Sequence, residues 1–164
     1  MSTLRDAIET LARIPERVAS MVSGICEAEL SRRPAEDVFS LRENVLHLRD
    51  IDVEGYEKRI ARILTESSPF LPDVDGAALA RERDYNVQPI APALDALAAS
   101  RRASIARLRE VDQADLDRTA ELEGVGQVTL RELLDRWMEH DAGHIADMEA
   151  VLRGRAGRNI ASAA

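Results

Sequence analysis

His140 and His144 stand four residues apart, and the only other histidine in the chain is His47. On a helix, side chains at i and i+4 project from one face, one turn apart. A third imidazole from a facing helix would complete a ligand set for a divalent metal ion, because helix bundles build metal sites by pointing side chains inward. Three neutral imidazoles leave at least one coordination position open, the pattern of a catalytic rather than a structural ion. Such an ion lowers the pKa of bound water, or binds a thiol as thiolate, near neutral pH. Zinc, nickel and iron suit these ligands equally well. On its own a His-x-x-x-His pair on a charged helix is more often solvated. The economy of three histidines, two sharing a face, is what lifts it here.

The elements that must carry these rings are legible. Thr129 to Leu152 reads as one amphipathic helix, with Thr129 as cap and Glu132 completing a capping box. Leu130, Leu133, Leu134, Trp137, Met148, Val151 and Leu152 recur at helical spacing. His47 falls on a second helix that Ser40 caps, with Glu43 three residues on and Leu41, Val45, Leu48, Tyr56, Ile60 and Ile63 as its apolar stripe. His47 sits at the edge of that stripe, a position equally open to solvent or to the wall of a groove.

Two further helices are expected. The first opens near Ser2-Thr3 and carries Leu4, Ile8, Leu11, Val18, Val22 and Ile25. Pro15 interrupts it at a cost of roughly 3 kcal/mol, so a kink or a break at Ile14 is expected. The third opens at Pro89 or Pro92, with Ile90, Leu94, Leu97, Ile105, Leu108 and Val111 inward. Between the second and third lies a long irregular crossover, 66–89, in which Ala77 to Arg83 reads as a short helix. Glu123 to Gln127 reads as a tight turn or small hairpin. The expectation is an all-α, four-helix bundle in one domain, residues 1–153, with 154–164 as a tail.

A chain of 164 residues with 45% apolar content buries a core without staples. A net charge of −8 argues against nucleic acid as the main partner. No apolar run approaches membrane-spanning length and no secretory leader is evident, so a soluble, cytoplasmic protein without a membrane partner is expected. The single Cys26 excludes an internal disulfide and is expected to be buried near the first helix.

Carboxylates should orient the metal-binding rings. The candidates are Asp147, one turn past His144, Asp50, one turn past His47, and Glu43, one turn before it. A ferritin-like di-iron site is excluded, since Asn44, Trp137 and Asp141 occupy the positions three before each histidine. The zincin pattern His-Glu-x-x-His, a Walker loop, a dinucleotide fingerprint and a Gly-x-Ser-x-Gly elbow are also absent.

The segments Leu11 to Val18, Arg33-Pro34, Phe39 to Asp50, Pro69 to Asp75, Arg81 to Tyr85, Gly126 to Leu134 and His140 to His144, in this order, resemble the DinB/YfiT-like superfamily. The resemblance implies an up-down-down-up four-helix bundle, often dimeric, with a divalent metal on His47, His140 and His144. It implies thiol-dependent S-transferase-like chemistry on a small electrophile, with a low-molecular-weight thiol as partner. A metal-dependent hydrolase is the alternative, and a non-catalytic, metal-stabilised dimeric module the rival of a different class. Many members carry Gly-Gln where this chain has Ala146-Asp147, so Asp147 is expected near the ion. Tyr85, Arg83 and Trp137 are expected at the pocket wall.

Overall fold

A computed structural model describes residues 3–162. Helix α1 spans Leu4–Val22 and opens with a capping box between Thr3 and Asp6. Ser2 lies outside the described residues. Pro15 does not break the helix as expected, and α1 runs on without interruption. A proline at 15 leaves the carbonyl of residue 11 without its i+4 donor. That carbonyl, of Leu11, accepts instead from Nη1 of Arg101 at 3.0 Å. A tertiary hydrogen bond thus replaces the helical one.

α1 ends at Val22, and Gly24 takes a positive φ of 70°, a left-handed conformation that glycine adopts freely. The chain therefore turns before Ile25, which lies outside the helix. Cys26, expected to be buried, is exposed at the start of the short α2, Glu27–Leu30.

The second long rod begins at Ser40, where the expected capping box with Glu43 is present. It comprises α3, Leu41–Asp50, a π-helical segment, Ile51–Tyr56, and α4, Glu57–Thr65. Both junctions keep right-handed helical angles, so the rod is continuous. A π turn widens the helix and resets which side chains face inward downstream of it.

The crossover holds the short strand β1, Phe70–Leu71, helix α5, Gly76–Glu82, and a 3₁₀ turn at Tyr85–Val87. Pro89 precedes α6, Ile90–Leu108, which stops before Val111. The expected hairpin is β2, Thr119–Leu122, with β3, Gly126–Thr129. The antiparallel pairing sets Thr119 opposite Thr129, and β1 adds to β2 in parallel through Phe70 and Glu121. Helix α7 follows directly, Leu130–Ser162, with Thr129 and Glu132 exchanging the hydrogen bonds of a capping box. Positions 154–162, read from the sequence as a tail, continue this helix, while 163–164 lie outside the described residues.

α1 packs on α6 and α7, and α3 packs on the same two helices, which completes a four-helix bundle. Its apolar core has two parts. Leu11, Ile51, Tyr56, Ile105 and Trp137 belong to the part near the small sheet. Ile14, Val18, Leu48, Leu97 and Ile145 belong to the other. Each long helix passes from one part to the other at the same level. That level carries Asp52, Arg101, Asp141 and the three histidines.

Candidate metal centre

α3 and α7 bring the three rings together. The ring centroids are 5.3 Å apart for His47 and His140, 4.4 Å for His47 and His144, and 4.7 Å for His140 and His144. His47, the edge residue of its stripe, is 9% exposed and therefore faces the interior. One ligand atom from each ring lies within 4.8 Å of the other two, and Nε2 of His47 and of His140 are 3.1 Å apart. Around a tetrahedral ion with bonds of about 2.0–2.1 Å, neighbouring nitrogens stand about 3.3 Å apart. The three rings therefore fit one ion with small side-chain adjustments.

Two of the three outward nitrogens have hydrogen-bonding partners in the protein. Asn44 donates through Nδ2 to the Ser40 carbonyl at 2.9 Å, which fixes its amide and leaves Oδ1 facing Nδ1 of His144 at 2.8 Å. That oxygen can only accept, so His144 carries its proton on Nδ1 and presents a lone pair at Nε2. Nδ1 of His140 faces Oδ1 of Asp141 at 3.4 Å. Nδ1 of His47 is buried against the Gly76 backbone, which favours a proton on the ring, although the geometry falls short of a hydrogen bond. Metal-ligating histidines have this arrangement, with the outer nitrogen held and the inner one free.

Burial, followed by mutual repulsion, pushes the His47 ring down to about 4 and the His144 ring down to about 3. Both are therefore neutral near pH 7, the form that binds a metal.

The carboxylates named from the sequence do other work. Asp147 is exposed and hydrogen-bonds none of the rings. Glu43 is buried, caps Ser40 and pairs with Arg33. Asp50 is buried and accepts from Tyr85 Oη at 2.5 Å and from Arg83 Nη1 at 2.7 Å. The partners actually beside the rings are Asn44 and Asp141. Asn44 precedes His47 by three residues on one face, and Asp141 follows His140 directly, so both were readable as neighbours of a ligand.

The expected pocket wall also needs correction. Tyr85 is fully enclosed, with burial and then Asp50 raising its hydroxyl far above the ordinary range. Arg83 pairs with Asp50 and Glu54. Trp137 is fully buried, stacked on Tyr56 at 4.8 Å and nearly parallel to it. Tyr56 in turn lies 6.0 Å from His140, so the two aromatics form the floor behind the rings. The side chain that borders His47 from the open side is Phe39, at 5.5 Å. Phe39 also lines a cleft of about 260 Å³ together with Arg33, Glu36, Asp37, Ala77, Ala80 and Arg81, and that cleft contains none of the histidines. A larger groove between α1 and α6 touches none of the histidines.

Comparison with known proteins agrees with this architecture. The sequence profile of the DinB superfamily matches residues 10–148. "Putative metal-dependent hydrolase BH0277" of Halalkalibacterium halodurans is 22% identical over 145 residues, covering 88% of this chain and 84% of its own. "Putative metal-dependent hydrolase OB0413" of Oceanobacillus iheyensis is 23% identical over 158 residues, covering 94% and 90%. YfiT from Bacillus subtilis, described as a probable metal-dependent hydrolase with an unusual four-helix bundle topology, superposes with a TM-score of 0.87 at 21% identity. That superposition covers 95% of this chain and 90% of YfiT.

Proposed function

The chain belongs to the DinB superfamily, and from that premise we propose a metal-dependent enzyme acting on a small electrophile, with His47, His140 and His144 holding a divalent ion. The observation that carries this reading is the opposed orientation of the ring nitrogens, with Nδ1 of each ring against protein and the inner atoms within 4.8 Å of one another. A divalent ion on three neutral imidazoles lowers the pKa of a water or thiol beside it and polarises an electrophile. The names of the relatives favour hydrolysis.

The family resemblance, rather than a feature of the site, favours a low-molecular-weight thiol as the nucleophile, since an ion held here would lower the pKa of water and of a thiol alike. The nearby carboxylates of Glu43, Asp50 and Asp141 are all engaged by arginines. The cleft at Phe39 is lined by both signs of charge, Arg33 and Arg81 with Glu36 and Asp37, and includes none of the three histidines. We extend the proposal to a homodimer on the family resemblance alone.

The test is the metal content of the protein purified without a histidine tag. The expected result is one equivalent per chain in the wild type and none in His144→Ala, and a wild type without metal overturns the proposal. Glutathione, mycothiol, bacillithiol and coenzyme A are then tested for saturable binding to the metal-loaded protein. Ester hydrolysis without thiol binding would favour the hydrolase, and the absence of both a metal-bound binding module.

A further inference from the structure

Arg101 is 1% exposed in the middle of the bundle. Its guanidinium reaches three other elements. Nη1 donates to the Leu11 carbonyl on α1 at 3.0 Å and to Asp141 Oδ2 on α7 at 2.8 Å. Nη2 and Nε donate to Asp52 Oδ1 in the π turn at 2.7 and 3.1 Å. The guanidinium carbon lies over the Trp137 ring, 4.5 Å from its centroid. Pro15 has no N–H to offer the Leu11 carbonyl, so Arg101 supplies the hydrogen bond that the helix omits there.

Asp141 divides its two oxygens. Oδ2 serves Arg101 and Oδ1 faces Nδ1 of His140. With Arg101 fixed on three sides, the carboxylate has one orientation, and so does the ring beyond it. The cluster of one arginine and two aspartates has a formal charge of −1, and Asp52 Oδ2 makes no hydrogen bond of normal geometry, although Ser100 lies near enough to favour its charged form. A buried net negative charge is costly unless a cation lies near. A divalent ion bound on the far side of His140 would help to meet that need.

We propose that Arg101 is a positioning residue of the metal centre, acting through Asp141 to hold His140 with Nε2 towards the other two rings. This rests on the metal-centre reading above. Asp141→Asn is the sharpest probe, because its amide offers a single acceptor atom and cannot serve both Arg101 and His140. Arg101→Lys keeps the charge but replaces the planar fork that spans Leu11, Asp52 and Asp141 with a single nitrogen.

The experiment is a double-mutant cycle read by zinc affinity, using chelator competition, with the visible spectrum of the cobalt-loaded protein alongside. Each single variant is expected to weaken zinc by about 10–100-fold, the usual effect of losing a ligand's hydrogen-bonding partner. The double variant is expected to be no weaker than Asp141→Asn alone. A purely structural clamp would lower the melting temperature of the metal-free variants and leave the zinc Kd in place, which overturns the proposal. Independent, multiplying effects overturn it as well. If Arg101→Lys fails to fold, Asp141→Asn decides alone, and an unchanged Kd and cobalt spectrum refute the link. A wild type that binds no zinc defeats the metal centre itself, a result distinct from a wild type that binds zinc with Asp141→Asn unaffected.

Discussion

The backbone of Gly76 at the start of α5 lies so close to the His47 ring that a Cβ there would stand 2.2 Å from Cε1 and 2.6 Å from Nδ1. An L side chain at that α-carbon requires the imidazole to move. The crossover thereby supplies one wall of the histidine cluster.

Gly76→Ala is accordingly expected to push His47 out of place. Metal binding should fall by at least about tenfold while the helical content stays native, since overpacking of this kind costs about 1–3 kcal/mol. Far-UV circular dichroism and zinc titration check both halves. Wild-type affinity in the variant would show that the ring does not lie against Gly76.

Asn44→Leu keeps the bulk of the side chain but removes the acceptor at Nδ1 of His144. Without it the proton is free to settle on either nitrogen. Zinc affinity should drop by about 10–100-fold. Chelator competition measures this, and an unaltered Kd would mean that Asn44 does not select the tautomer.

The stability of the metal-free protein should fall with acid. Burial holds His47 at about 4 and His144 at about 3 in the folded chain, below the ordinary value of 6.5. Above pH 6.5 both rings are neutral folded or unfolded, and the stability is fully present. As pH drops below 6.5 the unfolded chain takes up protons that the folded one refuses, and stability is lost down to about pH 4 and 3. Asp52 runs the other way, because burial raises its carboxyl to about 6 and the folded chain takes that proton first. The two histidines should outweigh it. Urea unfolding at pH 7 and pH 5 is expected to differ by on the order of a few kcal/mol. A flat profile would contradict the burial of the rings.

Trp137→Ala opens a cavity between Tyr56 and Arg101, and a loss of about 3–5 kcal/mol is expected. Trp137 is the only tryptophan, so circular dichroism rather than fluorescence must follow the unfolding. A loss below about 1 kcal/mol would show that the stack is not part of the rigid core.

The helices and their starts were legible because the signals are local. The capping boxes at Ser40–Glu43 and Thr129–Glu132 span three residues, and the apolar stripes repeat within one element. The His140–His144 pair follows from helical geometry alone. Arg101 was visible as a charge in the row Leu97–Arg101–Ile105, although nothing in that row names its partners. The third strand of the small sheet, β1, escaped because it is two residues long and pairs with a strand about fifty positions away, Phe70 with Glu121.

By itself the sequence determined the bundle, the hairpin and three histidines able to serve as ligands, since periodicity, capping and side-chain chemistry act over a few residues. Only the tertiary structure decided that His47 meets His140 across 93 positions and that Leu11 accepts from Arg101 across 90. It also assigned the partner at Nδ1 of His144 to Asn44 and left Asp147 in solvent. These choices depend on how helices rotate against one another when their apolar stripes pack. A turn of one residue on any helix would exchange a buried partner for an exposed one.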